Sequence, residues 1–156
     1  MLHVDIISVQ PQMFGGFLSE SIVMRASKKG ACEINIVDLK EYGVGRWHKT
    51  DDKPYGGGPG MLMRCEPVFK AVEKCLSAST YQKRARVILT SPAGKKFTQR
   101  DAESLAQEEH IVFICGHYEG LDARIETLAT DMYSVGDFVM PGGEIPAAAM
   151  TDATVR

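Results

Sequence analysis

The sequence predicts an α/β fold, a mostly parallel sheet with helices on both faces. Five short β-rich apolar runs recur along the chain. They are continuously apolar rather than alternating, as strands buried on both faces are. Helical stretches separate them, and that order builds a layered sheet through right-handed crossovers.

The elements follow in turn. VDIISV (4–9) is the first strand, and SESIVMRASKKG after it is a helix that ends on Gly30 as a C-terminal cap. INIVDL (34–39) is the second strand, followed by a long loop. The helix CEPVFKAVEKCL carries Pro67 early, where the missing N–H costs nothing. RVILTS (86–91) is the third strand, and Thr98 with Asp101 resembles a capping box ahead of AESLAQEE. IVFICG (111–116) is the fourth strand, a further helix is expected before MYSVG (132–136), and GDFVMPGGEIPA (136–147) leads into a final helix. A length of 156 residues without repeat or linker fits one domain.

Composition narrows the function classes. With 44% hydrophobic residues the chain is too apolar for disorder. No apolar run approaches the roughly 18 residues that span a bilayer. The start, MLHVDIISVQ, lacks a basic region before its apolar stretch, so a cytoplasmic protein with no membrane partner is expected. Cys32, Cys65, Cys75 and Cys115 form no C-x-x-C pair and read as reduced, mostly buried thiols. No His/Cys/Asp/Glu grouping has metal-ligand spacing, so no metal is expected, and His3 and His110 read as strand-edge residues without evident chemistry. A net charge of −2 gives no global attraction for nucleic acid. Yet Lys83, Arg84, Arg86, Lys95, Lys96 and Arg100 form a run without an acid, so either one face is basic or these are solvated loop and helix residues.

The loops carry the functional signal. YGVGRWHKTDDKPYGGGPGMLM, between Lys40 and Met63, is too long for a mere connection and is expected to be functional. It is not an ATP-binding P-loop, because Met61 and Leu62 stand where Lys and Ser/Thr are required, and no G-x-G-x-x-G follows a strand. TSPAGKK (90–96), CGHYEGLD (115–122) and VGDFVMPGGE (135–144) each follow a predicted strand, at the edge where open sheets bind ligands. Their backbone groups, Val139 and Met140, and aromatic Tyr118 and Phe138 suit an adenine with a positive or neutral centre better than a triphosphate. His48 and His117 are acid–base candidates without an identifiable partner. Asp51, Asp52, Glu119, Asp122, Asp137 and Glu144 each neighbour a glycine-rich or polar loop.

The strings DDKPYGGGPGMLM (51–63), SPAGKKF (91–97), CGHYEGLDARI (115–125) and SVGDFVMPGGEIPA (134–147), in this order and spacing, closely resemble the bacterial tRNA (guanine-N1)-methyltransferase family of the SPOUT class. The resemblance implies a trefoil knot in the C-terminal half, S-adenosyl-L-methionine bound bent within it, and a homodimer with active sites at the subunit interface. It further implies methylation of the tRNA guanine just 3′ to the anticodon. Carried over by motif, the cofactor loops are Thr90, Ser91, Pro92 and Gly94, then Gly116, Tyr118, Glu119 and Gly120, then Val135, Gly136, Asp137, Phe138, Val139, Met140, Gly142 and Gly143. Asp51, Asp52, Tyr55, Gly56, Gly57, Gly58, Pro59 and Gly60 match the family segment near the dimer interface and target nucleotide. At Thr90, Ala93, His117, Phe138 and Pro141 relatives commonly carry other residues.

Guanine N1 carries a proton, so its methylation needs a base at that N–H and a donor for charge growing on O6. The resemblance places the arginine at Arg156, ending PAAAMTDATVR, and the base in a linker aspartate beyond it. The expectation is a SPOUT domain over residues 1–156, without the family's linker and C-terminal tRNA-binding domain. Such a chain folds, dimerises and binds the methyl donor but turns over feebly. Two other readings stay open: a noncatalytic S-adenosylmethionine or RNA-binding module, and a hydrolase using His48 or His117.

Overall fold

Strand β1 (Leu2–Ser8) runs through the interior of a five-stranded sheet ordered β2–β1–β6–β5–β7, every pairing parallel. The other strands are β2 (Cys32–Asp38), β5 (Arg86–Lys96), β6 (His110–Cys115) and β7 (Asp131–Ser134). The computed structural model describes residues 1–78 and 85–156. All five predicted strands are present. Every residue of β6 is buried, because its two side-chain rows each meet a layer of helices.

One layer holds helix α3 (Cys65–Ser77) and the 3-10 turns Leu39–Tyr42 and Ala123–Leu128. It packs on Ile7, Val87, Leu89, Val112 and Ile114. The other holds α1 (Gly15–Ser19), α2 (Ser21–Lys28), α4 (Gln99–Leu105) and α5 (Glu144–Val155), and its core joins Val4, Ile6, Ile88, Ile111 and Phe113 to Phe14, Leu105, Ala147 and Met150. Burying each such Ile, Leu or Phe contributes about 1.5–3 kcal/mol, more than a surface ion pair can. The two apolar rows of the strands therefore dominate the packing of both layers.

Local signals end the helices as expected. Gly30 takes φ +69°, and the amides of Gly30 and Ala31 bond to the carbonyls of Ser27 and Ala26. The capping box of Thr98 and Asp101 is formed. Three features depart from the expectations. The first expected helix forms as α2, but a short helix not expected from the sequence, α1, precedes it, and Glu20, extended at φ −129° and ψ 165°, separates the two. The helix expected between β6 and β7 is the 3-10 turn Ala123–Leu128, opened by the Asp122 carboxylate accepting the Arg124 amide. Its greater rise per residue closes a short return path with fewer residues. The long loop is structured: β3 (Asp51–Asp52) and β4 (Leu62–Met63) pair antiparallel within it.

Candidate functional site

Strand β5 does not stop where its apolar run ends. It pairs with β7 from Ile88 to Thr90, is interrupted over residues 91–94, and pairs again at Lys95 and Lys96. The excursion puts Thr90, Ser91 and Pro92 beside the loops that leave β6 and β7, around a cavity of about 540 Å³. From the β6 loop, Gly116, Tyr118, Glu119 and Gly120 line it. From the β7 loop, Val135, Gly136, Phe138, Val139, Met140, Gly142 and Gly143 do. Two residues carried over by motif do not. Gly94 packs against the β7 backbone, where an added Cβ would lie 2.6 Å from Met132 C and Tyr133 N. Asp137 points outward to Lys96 Nζ at 2.6 Å. The cavity also takes in His117, Leu121, Tyr133, Ser134, Pro141 and Pro146. These lie inside the quoted strings or the last strand, but a reading that selects glycines passes over them.

Glycine backbones draw the loops together. The Gly143 amide donates to the Gly116 carbonyl at 2.7 Å, and a Cβ on Gly143 would fall on Thr90 Oγ1. Thr90 Oγ1 donates to the Ile114 carbonyl and accepts from the Gly116 amide, both at 3.2 Å. Beneath the loops Glu144 is 2% exposed. It accepts from Ser8 Oγ at 2.8 Å, and its Oε2 lies 3.5 Å from His117 Nδ1. This places a carboxylate beside His117, a partner that sequence order did not reveal. Burial and Glu144 together push the Cys115 thiol well up, and burial pushes Cys75 up to about 12, so neither is a thiolate nucleophile.

The loop over residues 51–63 is stitched to the β6 loop. The Glu119 amide donates to Met61, Met63 to Gly120 and Asp122 to Met63, at 3.0–3.1 Å. Tyr118 takes φ +64° and its hydroxyl lies 2.8 Å from Thr50 Oγ1. Gly56, Gly57, Gly58 and Gly60 all have φ between +80° and +120°, which explains the glycine run by backbone conformation. With Pro59 and Tyr55 they are exposed and lie outside the main cavity. Asp52 and Tyr55 border a smaller cleft of about 50 Å³ with Arg64, Glu66, Asp122 and Arg124. There Arg64 pairs with Asp52 at 3.3 Å, and Arg124 donates to the Tyr55 hydroxyl at 3.1 Å. Asp51 pairs with Met63 in the hairpin. The Arg124 guanidinium, donating to Asp122, holds that carboxyl down at about 2.

Other expected groups lie elsewhere. His48 is exposed, with Nδ1 3.2 Å from the Lys40 carbonyl. Arg156 is exposed at the end of α5, twelve residues or about 18 Å along the axis from Glu144. Lys83 and Arg84 lie outside the described residues. Within the rest of the basic run, Arg86 pairs with Asp131 and Glu108, Lys95 with Asp101 and Lys96 with Asp137, so these three do not make an unneutralised face. One grouping of potential ligand atoms has no linear spacing to announce it. Donor atoms of His3, Asp5 and His110 lie within 4.8 Å of one another. It arises because β1 and β6 are brought side by side from a hundred residues apart.

Comparison with known proteins gives consistent results. The family described as tRNA (Guanine-1)-methyltransferase TrmD matches residues 2–156. The tRNA (guanine-N(1)-)-methyltransferases of Bacillus pumilus and Bacillus subtilis are each 47% identical over 99% of this chain. That of Macrococcus caseolyticus is 50% identical over the same share. The chain spans 63% of the length of each of these relatives. The crystal structure of the tRNA (m1G37) methyltransferase from Aquifex aeolicus superposes with a TM-score of 0.89 at 34% identity, covering 99% of this chain and 68% of that one.

Proposed function

This chain belongs to the tRNA (guanine-1)-methyltransferase family, and from that premise we propose that its three-loop cavity binds S-adenosylmethionine for methylation of N1 of the tRNA guanine just 3′ to the anticodon. One observation carries the reading: the cavity, of a size usual for small-molecule sites, has no Lys or Arg among its described lining residues. When bound, S-adenosylmethionine supplies a methyl group on a sulfonium cation. A lining of backbone groups, apolar Val139 and Met140, and the carboxylate Glu119 suits that charge and suits a triphosphate poorly. Gly143 and Gly116 keep the loop backbones close, so amides and carbonyls rather than side chains read the ligand.

The residues for methyl transfer are divided between places. Glu144 at the start of α5 lies beneath the cavity loops, whereas Arg156 ends the same helix about 18 Å away. An arginine acting on guanine O6 therefore reaches a cavity from a second copy of the chain, which fits a homodimer with the site at its interface. Exposed Phe138, Val139 and Ile145 give the loop and helix beyond β7 an apolar surface for that contact. The exposed tip at Tyr55–Gly60 is then placed for the tRNA guanine, in the cytoplasm where tRNA is modified. We also infer the trefoil knot: β7 lies outside β5, and the chain then crosses back to pack α5 on β6 and β1.

Calorimetry tests the binding step. S-adenosylmethionine should bind at micromolar or tighter affinity, with no heat from ATP; ATP binding, or no binding of the methyl donor, rejects the reading. The resemblance places the base in a linker beyond Arg156, so the 156 residues tested alone should turn over a cognate transcript feebly. Turnover should rise by orders of magnitude in a chain extended through that linker. Equal turnover in both chains would place the base within these residues.

A further inference from the structure

The geometry points to a second site, away from the methyl-donor cavity, in which His3, Asp5 and His110 hold one divalent transition-metal ion of the zinc type. Sheet register builds it. His3 on β1 stands opposite Glu33 on β2 and opposite His110 on β6, and Asp5, two residues on, shares that face and stands opposite Asn35. The three ligand residues therefore project together from two neighbouring strands at their N-terminal ends. His110 stands six positions before Gly116 along β6, which puts the cluster about 20 Å from the cavity.

The outer contacts prepare the ligands. His3 Nδ1 lies 3.2 Å from Glu33 Oε2. An ionised carboxylate only accepts, so the ring donates from Nδ1 and leaves Nε2 on the Asp5 side to serve as the ligand atom. His3 Nε2 lies 3.6 Å from Asp5 Oδ1. His110 Nε2 lies 2.7 Å from Asp5 Oδ2, and Asn35 Nδ2 donates to Asp5 Oδ1 at 2.9 Å. A carboxylate on the far nitrogen of a ligating histidine and an amide on a ligating carboxylate are the usual supports of a metal site. Two imidazoles and one carboxylate suit zinc.

Tetrahedral zinc with bonds of about 2.0–2.1 Å needs ligand atoms roughly 3.4 Å apart. The present separations require shifts on the order of an ångström, within side-chain reach. His110 is 1% exposed and Asp5 5% exposed at the side chain, whereas His3 at 20% gives the ion its entry. Bound there, the ion ties β1 to β6 directly and β2 through Glu33, a clamp on the sheet rather than a participant in methyl transfer.

The test uses the full chain, freed of metal with a chelator and titrated with zinc chloride and then cobalt chloride. One equivalent of zinc should bind at micromolar or tighter affinity and raise the melting temperature, and cobalt should give visible d–d absorption of a four- or five-coordinate centre. His3→Gln, at a partly exposed position that folding tolerates, should weaken binding at least tenfold and abolish the melting shift. Glu33→Gln, which leaves all three ligands in place, should weaken it about tenfold. Absence of stoichiometric binding would overturn the assignment. So would binding of unchanged affinity in His3→Gln, which would put the ion elsewhere.

Discussion

At Gly143 the backbone φ of −86° would accept any L residue, so conformation is not what excludes a side chain there. Space is: a Cβ would fall on Thr90 Oγ1 and lie 2.8 Å from the Gly116 amide. Gly143→Ala should therefore force the β6 and β7 loops apart at a cost of about 1–3 kcal/mol. S-adenosylmethionine affinity should fall at least tenfold, and thermal melting with calorimetry on the same variant reads both effects. Retention of full affinity would show that the loops need not touch. By contrast, Gly56, Gly57 and Gly58 have open space around the missing Cβ and are glycines because φ is positive. The sequence displays both groups as the same letter. Only the fold separates the glycines that make the cavity from those that shape an exposed tip.

Helix α4 hangs on one carboxylate. Asp101 accepts from Lys95 Nζ at 2.6 Å, the Thr98 amide at 2.9 Å, Thr98 Oγ1 at 2.6 Å and the Tyr133 hydroxyl at 3.3 Å. Burial acts to raise this carboxyl, but Lys95 and the Thr98 groups outweigh it and bring it from 3.8 to about 2. A folded value below the unfolded one means that the associated stability is present above about pH 4 and is lost as the pH falls through about 2. Asp101→Asn should flatten that acid limb in pH-dependent melting. Thr98→Ala should cost about 1 kcal/mol at neutral pH. An unchanged acid limb in Asp101→Asn would assign the slope to other carboxylates. The Thr98-to-Asp101 spacing announces the cap in the sequence, whereas the Lys95 and Tyr133 contacts arise from the irregular pairing of β5 with β7.

For the whole molecule, the inferred knot has a mechanical consequence. Pulled from Met1 and Arg156 in a single-molecule experiment, a knotted chain stops measurably short of the roughly 3.6 Å per residue that an unknotted chain reaches. Full extension would remove the knot from the description. The distance along α5 bears on assembly, because a helix is rigid and Arg156 cannot fold back to a cavity at the other end. The proposed role of Arg156 at guanine O6 therefore calls for a second copy of the domain, and exposed Phe138, Val139 and Ile145 offer an apolar surface for it.

The chain's local patterns determined the strands, most of the helices, their caps and the family, because apolar runs, capping residues and glycine strings are each written over a few consecutive positions. His117 beside Glu144 and the His3–Asp5–His110 cluster belong to the tertiary structure alone. So do the closure of the three loops about one cavity and the neutralisation of Arg86, Lys95 and Lys96 by acids on other elements. These join residues that are distant in the chain and become neighbours only through sheet register. Register is set by the burial of whole strand faces rather than by any short run of residues.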